Sequence, residues 1–357
     1  MRYLTQWFKR YFSDPEVVFL TIFLLVFFAV VLTMGDMLAP VLASLVIAYL
    51  LEGLVGMLER KRIPRFIAVL VVYLGFLLFV TLFLFVVMPQ LSIQLTQLFQ
   101  QIPAMITEGQ KLLMQLPEHY PDFISPQEVQ EIIGVIRQEI AEFGQTVLSV
   151  SFASVVGVIT VLVYLILMPL LVFFFLKDKK LILRYLLGFF PRDRRLADTV
   201  WLDMDRQIAN YVRGKFWEII IVWGVSSFTF SVLGLQYAVL LGVLVGLSVV
   251  IPYIGAAVVT FPVILIAWFQ WGWGSDFLTL TVAYFIIQIL DGNVLVPLLF
   301  SEAVNLHPVA IIVAILVFGG LWGLWGVFFA IPLATLVQAI ISAWPTVDAL
   351  DENPERN

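Results

Sequence analysis

The sequence predicts an all-α, polytopic helical membrane protein in which some helices are discontinuous or re-entrant and one helical segment is extracytoplasmic. Three observations predict it. Of 357 residues, 62% are hydrophobic and 13% charged, against about 25% charged in a soluble domain. So much apolar surface needs a bilayer as its solvent. Apolar runs recur at about the 20 residues that cross a hydrocarbon core. Lysine and arginine gather in some of the links between them and not in others. Composition also excludes functions. The chain has no cysteine, so disulfide frameworks, thiolate metal sites and cysteine nucleophiles are out. A net charge of −5 with no broad basic face disfavours nucleic acid as a partner.

Residues 1–14 carry Arg2, Lys9 and Arg10 ahead of an apolar run. The run is long for a signal peptide and no small-residue cleavage site follows it, so it reads as a first span. The first half offers four spans: residues 15–34, 37–58, 66–88 and 149–176. Only Gly35 and Asp36 separate the first two, which predicts an antiparallel hairpin. Arg60, Lys61, Arg62 and Arg65 follow span two, and a dense basic stretch from Lys177 to Lys215 follows span four. With four spans, these three basic clusters fall on one side and only Lys111 and Arg137 on the other, which places the N-terminus in the cytoplasm. Residues 1–88 thus form a three-helix segment, and residues 89–148 are extracytoplasmic.

That outer segment is too polar to span. Leu91, Leu95, Leu98, Ile102 and Ile106 recur at helical spacing, as do Ile132, Ile133, Ile136 and Ile140. Two amphipathic helices fit this pattern, either as a cap, gate or assembly surface or as helices lying on the membrane face. Residues 149–176 form the fourth membrane helix and residues 177–215 a cytoplasmic basic connector. Val200, Met204, Ile208 and Tyr211 give the connector one apolar stripe.

Residues 216–345 form a C-terminal membrane core, followed by an acidic cytoplasmic tail at 346–357. Neither lysine nor arginine occurs between Phe216 and Glu355. Residues 237–269 and 303–345 are uncharged runs too long for single spans. Each holds a natural break: Ile251-Pro252-Tyr253-Ile254-Gly255 in one, and the glycines Gly319, Gly320, Gly323 and Gly326 in the other. Proline removes a backbone donor, and backbone freed in lipid must be buried in protein or line a wet cavity.

Interrupted apolar segments point to a transporter's substrate site. A third interruption, residues 290–297, carries chemistry: Gln288, Asp291 and Asn293 lie inside an apolar run, with Pro297 after them. A carboxylate at membrane depth costs about 2.5–3.5 kcal/mol and has a functional default reading. Two arrangements stay open. Asp291-Gly292-Asn293 is either a turn at the membrane surface or part of a discontinuous helix lined with polar groups. Either would offer oxygens to a cation. Glu302 and His307 follow, and a histidine suits proton coupling, although one before proline is more often a cap. Glu218 beside Lys215 reads as a snorkelling ion pair, and Glu52 near the inner end of span two takes the same discount. Gly242 with Gly246, and Gly319 with Gly323, form small-residue pairs that let helices approach, within the chain or between subunits. Enzyme motifs are missing, including metal-protease, esterase and nucleotide-binding signatures. The chain therefore reads as a non-enzyme without a cofactor or metal. It would be driven by an ion gradient or by the solute's own.

These same stretches resemble the AI-2E transporter family, among its permease-like members. The resemblance covers nearly the whole chain. It is carried by Phe12-Ser13-Asp14-Pro15-Glu16, by Leu38-Ala39-Pro40 with Ala48-Tyr49-Leu50-Leu51-Glu52, and by residues 169–178. It is carried further by Asn210-Tyr211-Val212-Arg213-Gly214-Lys215, Ile251-Pro252-Tyr253-Ile254-Gly255-Ala256 and residues 288–297, 301–308 and 318–333. It implies about eight helices, both termini in the cytoplasm of a bacterium's inner membrane, and a homo-oligomer such as a pentamer. It also implies export of a small polar solute such as the quorum-sensing signal autoinducer-2 or, in some members, sodium (lithium)/proton antiport. A membrane scaffold that transports nothing is the third reading. The family's motif positions include Pro252, Gly255, Gln288, Asp291, Asn293 and Pro297.

Overall fold

A computed structural model describes residues 15–119, 155–188, 195–252, 254–300 and 306–343, with single positions between 125 and 142. Glu302, residues 1–14, the stripe positions Ile132, Ile136 and Ile140, and the tail at 346–357 lie outside the described residues. Every regular element among the described residues is a helix. Five are long and apolar enough to cross a membrane, within 37–60, 65–115, 207–232, 254–271 and 275–300. Shorter apolar helices cover Val163–Lys177, Ala238–Ser248, Pro308–Gly323 and Trp325–Gln338. The all-α polytopic architecture is as the sequence predicts.

The first helix differs. Helix α1 runs unbroken through Pro15–Arg60, 46 residues, about 69 Å at 1.5 Å per residue. There is no hairpin at Gly35-Asp36. A turn inside lipid strands backbone donors and acceptors, whereas one glycine in a helix costs only about 1 kcal/mol. Two residues without a proline are too weak a signal to stop the helix. The basic groups at 2–10 and 60–65 therefore lose their shared side as a consequence of span counting. A second difference follows Arg65. Helix α2 (Arg65–Leu82) continues through a π turn, Phe83–Val87, into α3 (Met88–His119). The first outer helix is thus the extension of a membrane helix, not a separate unit.

Helices α4 (Val155–Lys177) and α5 (Lys179–Leu187) follow. Buried Val55 on α1, Ala68 and Val69 on α2 and Val172 on α4 share one apolar core. Ser44, fully buried, donates to the carbonyls of Pro40 at 2.6 Å and Met168 at 3.3 Å, so α1 and α4 touch closely. At one end Arg65 binds Glu52 and Glu59, each at 3.2 Å, and the Leu176 carbonyl at 2.8 Å, while Lys179 reaches Glu52 at 3.2 Å. Two of the predicted basic clusters therefore share one end of the molecule. Glu52 is part of this knot.

Helix α6 (Arg195–Val232) joins the basic connector to the membrane core without interruption. A hairpin follows: α7 (Ala238–Ser248), a turn at residues 249–252, and α8 (Ile254–Trp271). Its open end is sealed by Gln270, whose amide donates to the Gly234 carbonyl at 2.8 Å and accepts from the Gln236 N–H at 2.7 Å. The hairpin thus enters and leaves at the same end of α6. With 11 residues, α7 is about 16 Å long, roughly half a hydrocarbon core. A methyl group at Gly255 would strike the Ser248 carbonyl, so only glycine lets the two arms close. Helix α9 (Ser275–Leu290) leads through a second π turn, Asp291–Leu295, into α10 (Val296–Phe300). Helix α11 (Pro308–Ala343) is broken at Gly323, with φ 58° and ψ −134°, a conformation open to glycine alone. There Gly326 faces the Phe318 carbonyl and Gly319 faces Val327. The two halves fold back into a second tight hairpin.

The small-residue pairs do their packing inside the chain. A Cβ at Gly242 would lie 2.7 Å from the Ser227 nitrogen, and one at Gly246 2.6 Å from the Trp223 Cβ. Both clamp α7 onto α6. Leu91, Leu98 and Met105 of α3 pack on the core that α6 to α9 share. The Gln94 side chain accepts from the Leu240 N–H at 2.8 Å.

Candidate functional site

One stretch of α6, from Tyr211 to Glu218, meets both broken hairpins. Tyr211, 3% exposed, donates its hydroxyl to the Phe328 carbonyl at 3.1 Å, just beyond the Gly323 break. One turn later Lys215 serves the other break. Its ammonium donates to the Val249 carbonyl at 2.7 Å, at the C-terminal end of α7, and to the Glu218 carboxylate at 2.8 Å. Lys215 and Glu218 are 5% and 2% exposed. This is a buried ion pair, not a snorkelling one. The break is the reason. The carbonyls at the end of α7 have no intrahelical donor, and a cation is favoured at that negative end.

The π turn completes the cluster. Phe300 sets its ring 5.3 Å from the Lys215 nitrogen. Gly214 makes room, because a Cβ there would come 2.7 Å from that ring. Asp291 opens the π turn, within electrostatic reach of both Lys215 and Glu218. Its Oδ1 is buried and has no hydrogen-bond partner among the described residues. A buried acceptor left unpaired costs about 1–3 kcal/mol, and π turns concentrate at functional sites.

Residues 290–297 are therefore neither a surface turn nor a break. Pro297 lacks the N–H that would close an ordinary turn, and its ring clashes with the carbonyl four residues back. The helix widens instead, and the Val296 N–H binds the Asp291 carbonyl five residues away. The first π turn has the same cause: it ends two residues before Pro89, and the Met88 N–H binds the Phe83 carbonyl.

The other predicted residues divide. Pro252 and Gly255 form the hairpin tip, and the Ile254 N–H binds the Pro252 carbonyl at 2.7 Å. Gln288 lies one turn before Asp291 on α9. Asn293 donates to the Ile289 carbonyl at 2.9 Å, so its amide serves its own helix. His307 caps α11, its Nδ1 accepting from the Val309 N–H at 3.2 Å. The residues that sequence reasoning undervalued are Lys215, Glu218 and Phe300. A signal was present: an i, i+3 charge pair beside Gly214, with a helix break downstream whose carbonyls need a donor.

The chain matches the AI-2E family transporter profile over residues 20–346. It belongs to the AI-2E transporter family. It is 46% identical over 345 residues to the "Putative permease PerM" of Escherichia coli K12, covering 96% of this chain and 97% of that one. It is 30% identical over 306 residues to the "Putative transport protein YrrI" of Bacillus subtilis, covering 85% of each. A second B. subtilis relative, "Putative transport protein YueF", is 27% identical over 312 residues, covering 84% and 82%. This AI-2E family member is thus a multi-pass membrane permease. Its Lys215–Glu218–Asp291 cluster lies where its broken helices meet.

Proposed function

We propose that this AI-2E transporter is a secondary permease of the bacterial inner membrane that exports a small polar solute, autoinducer-2 or a molecule like it, past the Lys215–Glu218–Asp291 cluster. The observation that carries this reading is the buried, unpartnered Asp291 oxygen beside a buried ion pair in an apolar bundle. A group so costly in lipid is kept where cargo or a coupling ion can pair with it. Discontinuous helices meeting near mid-depth are the usual frame for such a site. Purified protein in liposomes loaded with labelled autoinducer-2 should release it faster than protein-free liposomes, and Asp291→Asn should slow the release. An absence of solute flux under every imposed ion gradient would count against the proposal.

The same oxygen favours a second reading, exchange of sodium or lithium for a proton at Asp291. The three side chains sum to one negative charge when all are ionised, and one cation or proton balances it. Sodium added to vesicles should then shift the internal pH, and Asp291→Asn should abolish that shift.

A further inference from the structure

We infer that the Lys215 ammonium is a tethered cation filling a cation cage that the α7–α8 break creates. The cage is therefore occupied by the protein itself and is closed to alkali ions in the native chain. Four features define it. The Val249 carbonyl, at the negative end of a half-length helix, lies 2.7 Å from the nitrogen. The Glu218 carboxylate lies 2.8 Å away. The Phe300 ring presents its π face at 5.3 Å, within the range of a cation–π contact. All of it sits around side chains only 5% and 2% exposed.

A carboxylate, a helix-end carbonyl and an aromatic face are the donor set for a monovalent cation in a broken-helix membrane protein. Here the occupant arrives on a four-carbon stem from α6. Removing the stem while keeping the cage should leave a negatively charged, desolvated hollow that takes a free monovalent cation. Methylammonium suits it best, because it restores the N–H donors, and sodium comes next. The inference uses the site on which the proposed function rests, but its readout is binding and not flux.

Lys215→Ala protein, purified full length in detergent, is unfolded by heat in equal concentrations of methylammonium, sodium or choline chloride. Choline is too large for the hollow and controls for ionic strength. At ten times the dissociation constant the midpoint should rise by about 2 °C in methylammonium over choline. Glu218→Gln added to Lys215→Ala should abolish that rise, and the native protein should show none. Folded Lys215→Ala protein with equal midpoints in all three salts overturns the inference, and so does an equal rise in the native protein. If Lys215→Ala does not fold in choline, methylammonium throughout purification should restore a monodisperse protein. Failure to recover it with any of the cations overturns the inference too. Cation binding by Lys215→Ala together with no solute release by native liposomes would sink the proposed function and leave the cage standing.

Discussion

Lys215 and Glu218 gave up their hydration to sit in the core, and each other, the Val249 carbonyl and the Phe300 ring compensate. Losing one partner of such a pair costs about 3–5 kcal/mol, whereas replacing both with apolar groups is near neutral. Lys215→Met should therefore lower stability by about that amount in denaturant titrations of the detergent-solubilised protein. Adding Glu218→Leu should recover most of it. A double variant as unstable as the single one would mean that the pair is not the source of the loss. Gly323 is decided differently, by backbone alone. At φ 58° and ψ −134° a side chain costs about 1–3 kcal/mol. Gly323→Ala should lower the thermal midpoint, while Gly320→Ala, in open space on the same helix, should not.

Elements here are shaped by prolines that widen helices and by glycines that let them fold back. Pro297 keeps the π turn open and so sets the position of Asp291, at its first residue. In Pro297→Ala the returned N–H allows an ordinary helical turn, which shifts Asp291 against α6. Solute release should fall roughly tenfold or more, the scale of an ångström-sized misplacement, with the yield of folded protein kept. Unchanged release would show that the widened turn is incidental. Helix α7 is held at both ends by side chains from elsewhere, Gln94 at its start and Lys215 at its finish. Gln94→Ala removes a cap worth about 1 kcal/mol. Amide exchange over residues 238–242 should quicken in that variant, because α3 no longer fastens the hairpin's entry.

Across the whole molecule, the Arg65 knot and the Gln236–Gln270 seal mark opposite ends. The N-terminal bundle and the core are joined along α6, where Tyr49 of α1 bonds Asp205 at 2.7 Å and Gly53 lies against Arg213. The absence of cysteine makes the arrangement easy to map. Single cysteines at Arg62 and Trp273 should react with an impermeant maleimide from opposite faces of the membrane. The basic end is expected inside. Labelling of both from one face would refute this packing of the bundle.

Class, membrane residence and the breaks at 251–255 and Gly323 were legible in the sequence, because hydropathy and proline and glycine chemistry are local. So was Asp291, since a carboxylate in an apolar run has to be explained. The continuity of α1 was not legible, because hydropathy measures the length of a run and not whether the chain turns back. The charged neighbours of Asp291 were not legible either. Lys215 lies 76 positions earlier, and its charge looked as if it faced water until the fold set it under a broken helix end. Sequence determined which groups would be costly in lipid; tertiary structure decided which of them would meet, because burial and pairing depend on neighbours that chain order does not reveal.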